Sequence, residues 1–223
     1  MFMPDLRILT INLLNGRARP EALAAALRTT TPDVVAAQEL GPNAAEVLAA
    51  AFPYGALFPD LNYNGRGLVG RAPLGVREVD LGGRPALAAL LDDAAWTLAV
   101  PVEVVSVHLM NPIGRPVVHT NRVRRTQLER LEHYAAATAI PRAIVGDMNA
   151  SPVWPAYRQL TGLGTDAARA AGSVRPTWAP RWWMPRMLRI DHAFVTGMTP
   201  RHTQVVAVRG TDHSGLLVDL DVP

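Results

Sequence analysis

Apolar residues come in short runs that end on polar ones. Leu6–Ile11 is such a run and stops at Asn12, and Val34–Ala37 is another, with Glu39 just past its end. Short runs rich in β-branched residues predict buried strands. Pro20 stands where a helix tolerates proline, in its first turn, and Glu21–Thr29 carries alanine and leucine through that helix. Asn43–Ala51 predicts a second helix, stopped before Pro53. From Tyr54 to Val107 the segments GLVG, LGVREVDL, ALAALLDD and WTLAVPVEVVSVHL alternate with Gly, Pro and Asp, which predicts an antiparallel meander. Asn121–Ala137, with Leu128 and Leu131 three apart among charged neighbours, predicts the clearest helix. A strand at Ala143–Val145, a helix near Trp154–Leu160 and strands at Ile190–Val195, Gln204–Val208 and Leu216–Leu220 complete the chain. The order of elements predicts two sheets with helices outside, and 223 residues fit one domain, 1–223.

Composition narrows the chemistry. A hydrophobic fraction of 49% supplies a large core and excludes a disordered chain. The absence of cysteine excludes disulfides, thiolate zinc sites and cysteine nucleophiles. All 22 basic residues are arginine, the net charge is +3 and the pI is about 9.9, a weak bias toward anionic partners. No apolar run reaches the roughly 18 residues of a membrane span. No basic stretch precedes a long apolar core at the start, so a cytoplasmic monomer is expected; a secreted chain trimmed of its leader would look the same.

Polar residues recur at the strand ends, where open α/β sheets carry their sites. In IVGDMNAS, Asp147 and Asn149 are two apart, so extended backbone would aim both at one spot; the same residues also make an ordinary turn. Glu39 is a candidate ligand for Mg²⁺ with Asn12 beside it, or simply an exposed glutamate and a cap. In GTDHSG, Asp212 adjoins His213, and Asp191, bracketed by apolar residues in MLRIDHAFV, is a candidate to orient that histidine. His108 ends VEVVSVHL and is either a site residue or a satisfied core histidine. No GxxxxGK[ST], GxGxxG, GxSxG or HExxH pattern occurs. A set of Asp, Asn, Glu and His suits metal-assisted hydrolysis of a phosphate ester.

In order, INLLNG, PDVVAAQE, SVHL, VGDMNASP, RIDHAFV and GTDHSG resemble the endonuclease/exonuclease/phosphatase superfamily, the deoxyribonuclease-like metal phosphoesterases. The resemblance runs from Asn12 to His213 and implies a four-layer α/β/β/α sandwich of two packed mixed sheets. It implies that Glu39 is the main ligand for Mg²⁺ or Mn²⁺, with Asn12 beside it and Asp212 as a further candidate. It implies that Asp191 orients His213, that Asp147 and Asn149 face the phosphate and its attacking water, and that His108 touches the phosphate or leaving oxygen. Histidine at that position matches the pancreatic deoxyribonuclease and sphingomyelinase branches rather than the abasic-site endonucleases, which have tyrosine. The implied reaction is in-line attack by water, with either the His213–Asp191 pair or Asp147 as base.

Substrate signals point two ways. Arg122, Arg124, Arg125 and Arg130 cluster in NRVRRTQLER, where three of them, Arg122, Arg124 and Arg125, could line a phosphate track or the group could form a solvated helix face with Glu129 and Glu132. WAPRWWMPRML, with Trp182 and Trp183, could stack bases, rest on lipid or close as a lid. The expected function is a phosphodiesterase or nuclease acting on DNA or RNA. A phosphatase or phosphodiesterase for a small or lipid phosphate is the alternative, and a non-catalytic binding module of the same fold is a remote third.

Overall fold

Two of the polar strand ends, at Asn12 and Asp147, sit in different sheets, and the topology exists to bring them together. The structure, a computed structural model, describes residues 4–223. It opens with β1 (Leu6–Asn12), α1 (Pro20–Thr30), β2 (Val34–Gln38) and α2 (Pro42–Ala51). Strands β3 (Tyr54–Phe58), β4 (Arg66–Gly70), β5 (Gly75–Val79), β6 (Ala86–Leu91) and β7 (Val102–His108) follow. The long α3 (Val117–Ala136), β8 (Arg142–Asp147), α4 (Pro155–Leu160), β9 (Thr165–Asp166) and α5 (Ala167–Ala170) come next. Strands β10 (Asp191–Thr196), β11 (Thr199–Ala207) and β12 (Ser214–Asp221) close the chain.

One six-stranded sheet runs β11-β12-β1-β2-β4-β3 and the other β5-β6-β7-β8-β10-β9. Each mixes parallel and antiparallel pairs: β1 is parallel to β2 and antiparallel to β12, while β7 is parallel to β8 and antiparallel to β6. The sheets face each other across a core that includes Ile8, Val34, Leu68, Val104, Val145 and Leu216. Residues of α1 and α2 pack on the outer face of the first sheet through Leu23, Leu27 and Leu48, with Leu9 and Val35 opposite. Leu128, Leu131, Tyr157 and Leu160 cover the second sheet with Val105, Ile144 and Phe194 opposite. The result is the expected four-layer sandwich. No helix among the described residues is long and apolar enough to cross a membrane.

The predicted meander is antiparallel, but it is shared between the sheets: β3 and β4 belong to the first and β5–β7 to the second. Alternation along a strand records burial of one face, not which sheet owns it. The long helix begins at Val117 rather than Asn121, directly after Pro116 in extended backbone. Its buried stripe, Thr120, Arg124, Gln127, Leu128 and Leu131, is mostly polar, which hid the first turn from a hydrophobic reading.

Strand β8 runs to Asp147, two residues past the predicted end, because Gly146 continues it instead of breaking it. Gly146 has φ +143, and a Cβ there would lie 1.9 Å from the Val107 carbonyl oxygen. Only glycine lets β8 lie this close to β7. The register then sets His108 and Asp191 opposite Asp147 on either side.

Candidate active site

Asp147 is the centre of the cluster. It is buried, and its Oδ1 accepts the Asn149 backbone N–H at 2.9 Å, while its Oδ2 accepts from Asn149 Nδ2 at 3.2 Å and from Asn12 Nδ2 at 3.1 Å. Asn149 reaches back because it sits in left-handed backbone, φ 46, a conformation asparagine tolerates. The pair therefore does close a turn, and the turn holds Asp147 in place. Asn12 sits between two acids. Its Oδ1 is taken by the Leu14 N–H at 2.9 Å, and its amide nitrogen donates to Glu39 Oε1 at 3.1 Å as well as to Asp147. In this arrangement it clamps two acids from opposite sheets.

His213 and Asp191 form the predicted pair. The ring's Nδ1–H donates to Asp191 Oδ2 at 2.9 Å, and Nε2 faces Asp147 Oδ2 at 3.7 Å and Asp212 Oδ1 at 3.9 Å. Both members are buried. Burial opposes the charged ring, but Asp191, Asp147 and Asp212 outweigh it and push His213 up to about 10. Burial also pushes Asp147 up to about 7, against the pull of His213.

Glu39 adopts left-handed backbone, φ 50, which turns the chain end of β2 into the site. Its Oε2 and the Oδ1 of Asp212 are buried without a hydrogen-bond partner. Burial raises Glu39 above the usual carboxylate range, with the Asn12 bond opposing. Orphaned buried carboxylate oxygens are costly unless something answers them, and oxygen donors suit a hard divalent cation. Asp147, Asp191 and His213 also lie close enough together to hold an ion. The Asp191–His213 hydrogen bond already engages two of those three, and Glu39 and Asp212 add the partnerless oxygens Oε2 and Oδ1.

Arg84, which sequence reading missed, completes the cluster. It lies in the β5–β6 turn LGGRPAL, where arginine resembles any surface turn residue. Its Nη1 donates to His108 Nε2 at 2.6 Å, and its guanidinium lies 5.5 Å from the Tyr63 ring centroid. Burial first, then the neighbouring Arg84 and His213, holds His108 well below its ordinary range. His108 Nε2 thus accepts from Arg84 and lies 3.5 Å from Asp147 Oδ2 and 3.7 Å from Glu39 Oε1.

Thr177 and Thr211 were also missed, and Trp178, which opens WAPRWWMPRML, turns inward to the site. Trp178 Nε1–H donates to Asp212 Oδ2 at 3.2 Å. Thr177 Oγ1 accepts from the Ile190 and Asp191 backbone, and Thr211 Oγ1 donates to the Asn12 carbonyl and accepts the His213 N–H. Trp182 and Trp183, by contrast, point to solvent at 56% and 67% exposure. The arginines of α3 divide between core and surface. Arg124 is buried, and its guanidinium donates to the Met110 and Met148 carbonyls; burial lowers it to about 10. Its role is to pin the ends of β7 and β8, since buried N–H groups must find acceptors. Arg122 and Arg125 are exposed, with Arg125 beside Glu129 at 3.8 Å.

Solved structures share this fold. A protein of this family from Beutenbergia cavernae is 22% identical with TM-score 0.70, covering 97% of this chain and 71% of its own. A Neisseria 3′ phosphatase, NExo, bound to product DNA hairpin is 19% identical with TM-score 0.74, covering 97% and 99%. A mannosyl-6-phosphatase from Bacteroides thetaiotaomicron is 14% identical with TM-score 0.65, covering 96% and 99%. No curated protein matches the sequence. The sequence profile of one family matches residues 9–213, the span from β1 to the His213 of the buried pair, and the chain belongs to that Endonuclease/Exonuclease/phosphatase family.

Proposed function

We propose that the protein is a divalent-metal-dependent phosphoester hydrolase that attacks phosphorus with water. Members of the family hydrolyse phosphoesters. The observation that carries the reading for this chain is the His213–Asp191 pair, with Nε2 left facing Asp147 and the orphaned carboxylate oxygens of Glu39 and Asp212 nearby. Asp191 holds the Nδ1–H, so Nε2 is the atom that takes the proton from water. Asp147, fixed by Asn149 and Asn12, orients that water. Arg84, braced on His108, donates N–H groups toward a phosphate oxygen as charge builds on it. Mg²⁺ or Mn²⁺ held by Glu39 and Asp212 would supply positive charge beside the phosphate and lower His213 toward neutrality.

EDTA should abolish hydrolysis of p-nitrophenyl phosphate and its bis-ester, and added Mg²⁺ or Mn²⁺ should restore it. Full activity in chelator would sink the mechanism. A nuclease is the second reading, favoured by the likeness to a 3′ phosphatase bound to a DNA hairpin and by the exposed Arg122 and Arg125. It requires cleavage of plasmid DNA or RNA that falls steeply with salt, because counterion release drives backbone binding.

A further inference from the structure

The site opens on one edge of the sandwich. Register puts Asn12, Gln38, His108, Asp147 and Asp191 at that edge, and Arg66 lies opposite Gln38. The loops that follow β7 and β8, precede β10 and join β3 to β4 therefore surround the site. Large apolar side chains stand in solvent on all four, Tyr63 at 58%, Ile113 at 75%, Val153 at 81% and the two tryptophans above, and Val118 in the first turn of α3 adds another at 74%. Toward the far edge, Tyr54 and Leu90 reach only 42% and 36%. An apolar patch of this kind marks a contact surface.

Charge says what it contacts. Residues 109–128, 148–165 and 167–190 contain no Asp or Glu. Arg115, Arg122, Arg175 and Arg181 are exposed among the apolar residues of these segments. Apolar tips interleaved with arginine, with Asp60 as the only acid on the four loops, match an anionic lipid surface, where side chains enter the acyl boundary and guanidinium groups meet phosphates. Nucleic acid fits less well, because Ile113, Val118 and Val153 have no π-face on which a base can stack. We propose that this edge docks on an anionic lipid bilayer and that the site takes a phosphoester headgroup presented there. The second half of this rests on the hydrolase reading above.

Co-sedimentation with vesicles of phosphatidylcholine alone, or mixed with phosphatidylglycerol, tests the docking. The protein should bind the mixed vesicles at least about tenfold more tightly. Arg181→Gln should weaken that binding about fivefold, the size of one arginine's attraction to such a surface. Trp182→Ser with Trp183→Ser should weaken it at least about tenfold. Ile113→Ser with Val153→Ser, at two largely exposed positions, should also weaken it while hydrolysis of soluble bis-p-nitrophenyl phosphate stays unchanged. Absence of binding to either vesicle, or binding unaltered in both apolar variants, would overturn the docking. So would variants that lose duplex DNA while their vesicle binding stays intact. Vesicle binding without hydrolysis of any ester would support the docking and overturn the hydrolase reading instead.

Discussion

A fully buried carboxylate is tolerable only when another group answers its charge. For Asp191 that group is His213, and the dependence is mutual, since the same carboxylate fixes the imidazole tautomer. His213→Ala should therefore do two things at once. It should lower turnover of a soluble phosphoester at least about a hundredfold, the usual size of a lost acid–base group. It should also cost about 3 kcal/mol in urea unfolding, because Asp191 is left buried and unpaired. Near-normal turnover in that variant would remove His213 from the mechanism. The adjacent His192 behaves in the opposite sense. Its Nε2–H donates to the Ala150 carbonyl at 2.7 Å, its Nδ1 is buried without a partner, and burial lowers it from 6.5 to about 4. The unfolded chain thus binds a proton that the folded chain refuses between those values. Stability from this residue is full above 6.5 and falls as pH drops toward 4, by about 2 kcal/mol at pH 5. Comparing unfolding at pH 7 and pH 5 in the wild type and in His192→Gln, which keeps a donor for Ala150, checks it: the variant should lose less.

At the level of elements, the edge that carries the candidate site depends on how closely β8 lies against β7, and Gly146 sets that distance. Gly146→Ala should cost more than about 2 kcal/mol, combining a strained positive φ with a clash against the Val107 carbonyl. It should also shift Asp147 and depress activity beyond what the lost stability explains. Wild-type stability together with wild-type turnover would contradict this. The glycine was visible in IVGDMNAS as a break, whereas in the sheet it is the residue that permits continuation. Its neighbours were easier to read. Asn12, Glu39, His108, Asp147, Asp191 and His213 all end or adjoin apolar runs, so local pattern marked them before any fold was known. Arg84 and Trp178 could not be found that way. Each reaches the site only when a loop folds over the sheet ends, and nothing in LGGRPAL or RPTWAP encodes that closure locally. Arg124 shows the reverse failure: a basic run signalled a phosphate track, but helical phase turned one of its members inward.

Across the whole molecule, the site is a seam. Glu39 comes from the sheet built around β1 and β2, and Asp147 and Asp191 from the sheet built around β7 and β8. Packing the sheets forces these acids together with Asp212 at one edge, where the orphaned oxygens of Glu39 and Asp212 have lost water and gained no protein donor. Function here opposes stability, a common cost of charged sites. Glu39→Gln separates the two. In EDTA, the variant should be more stable than the wild type by about 1 kcal/mol, because it removes the charge of a buried carboxylate whose Oε2 lacks a partner. Burial raises the folded Glu39 above the ordinary carboxylate range, so this penalty exists only where the group is ionised. The advantage of the variant should therefore shrink as pH falls through the raised folded value and be gone below the ordinary range. Adding Mg²⁺ should reverse the order, since a ligand that binds only the folded state raises its stability in proportion to occupancy. The wild-type unfolding midpoint should climb with Mg²⁺ concentration and the variant's should stay nearly level. If both climbed equally, the ion would be held elsewhere, and the Asp147, Asp191 and His213 group would become the site to mutate next.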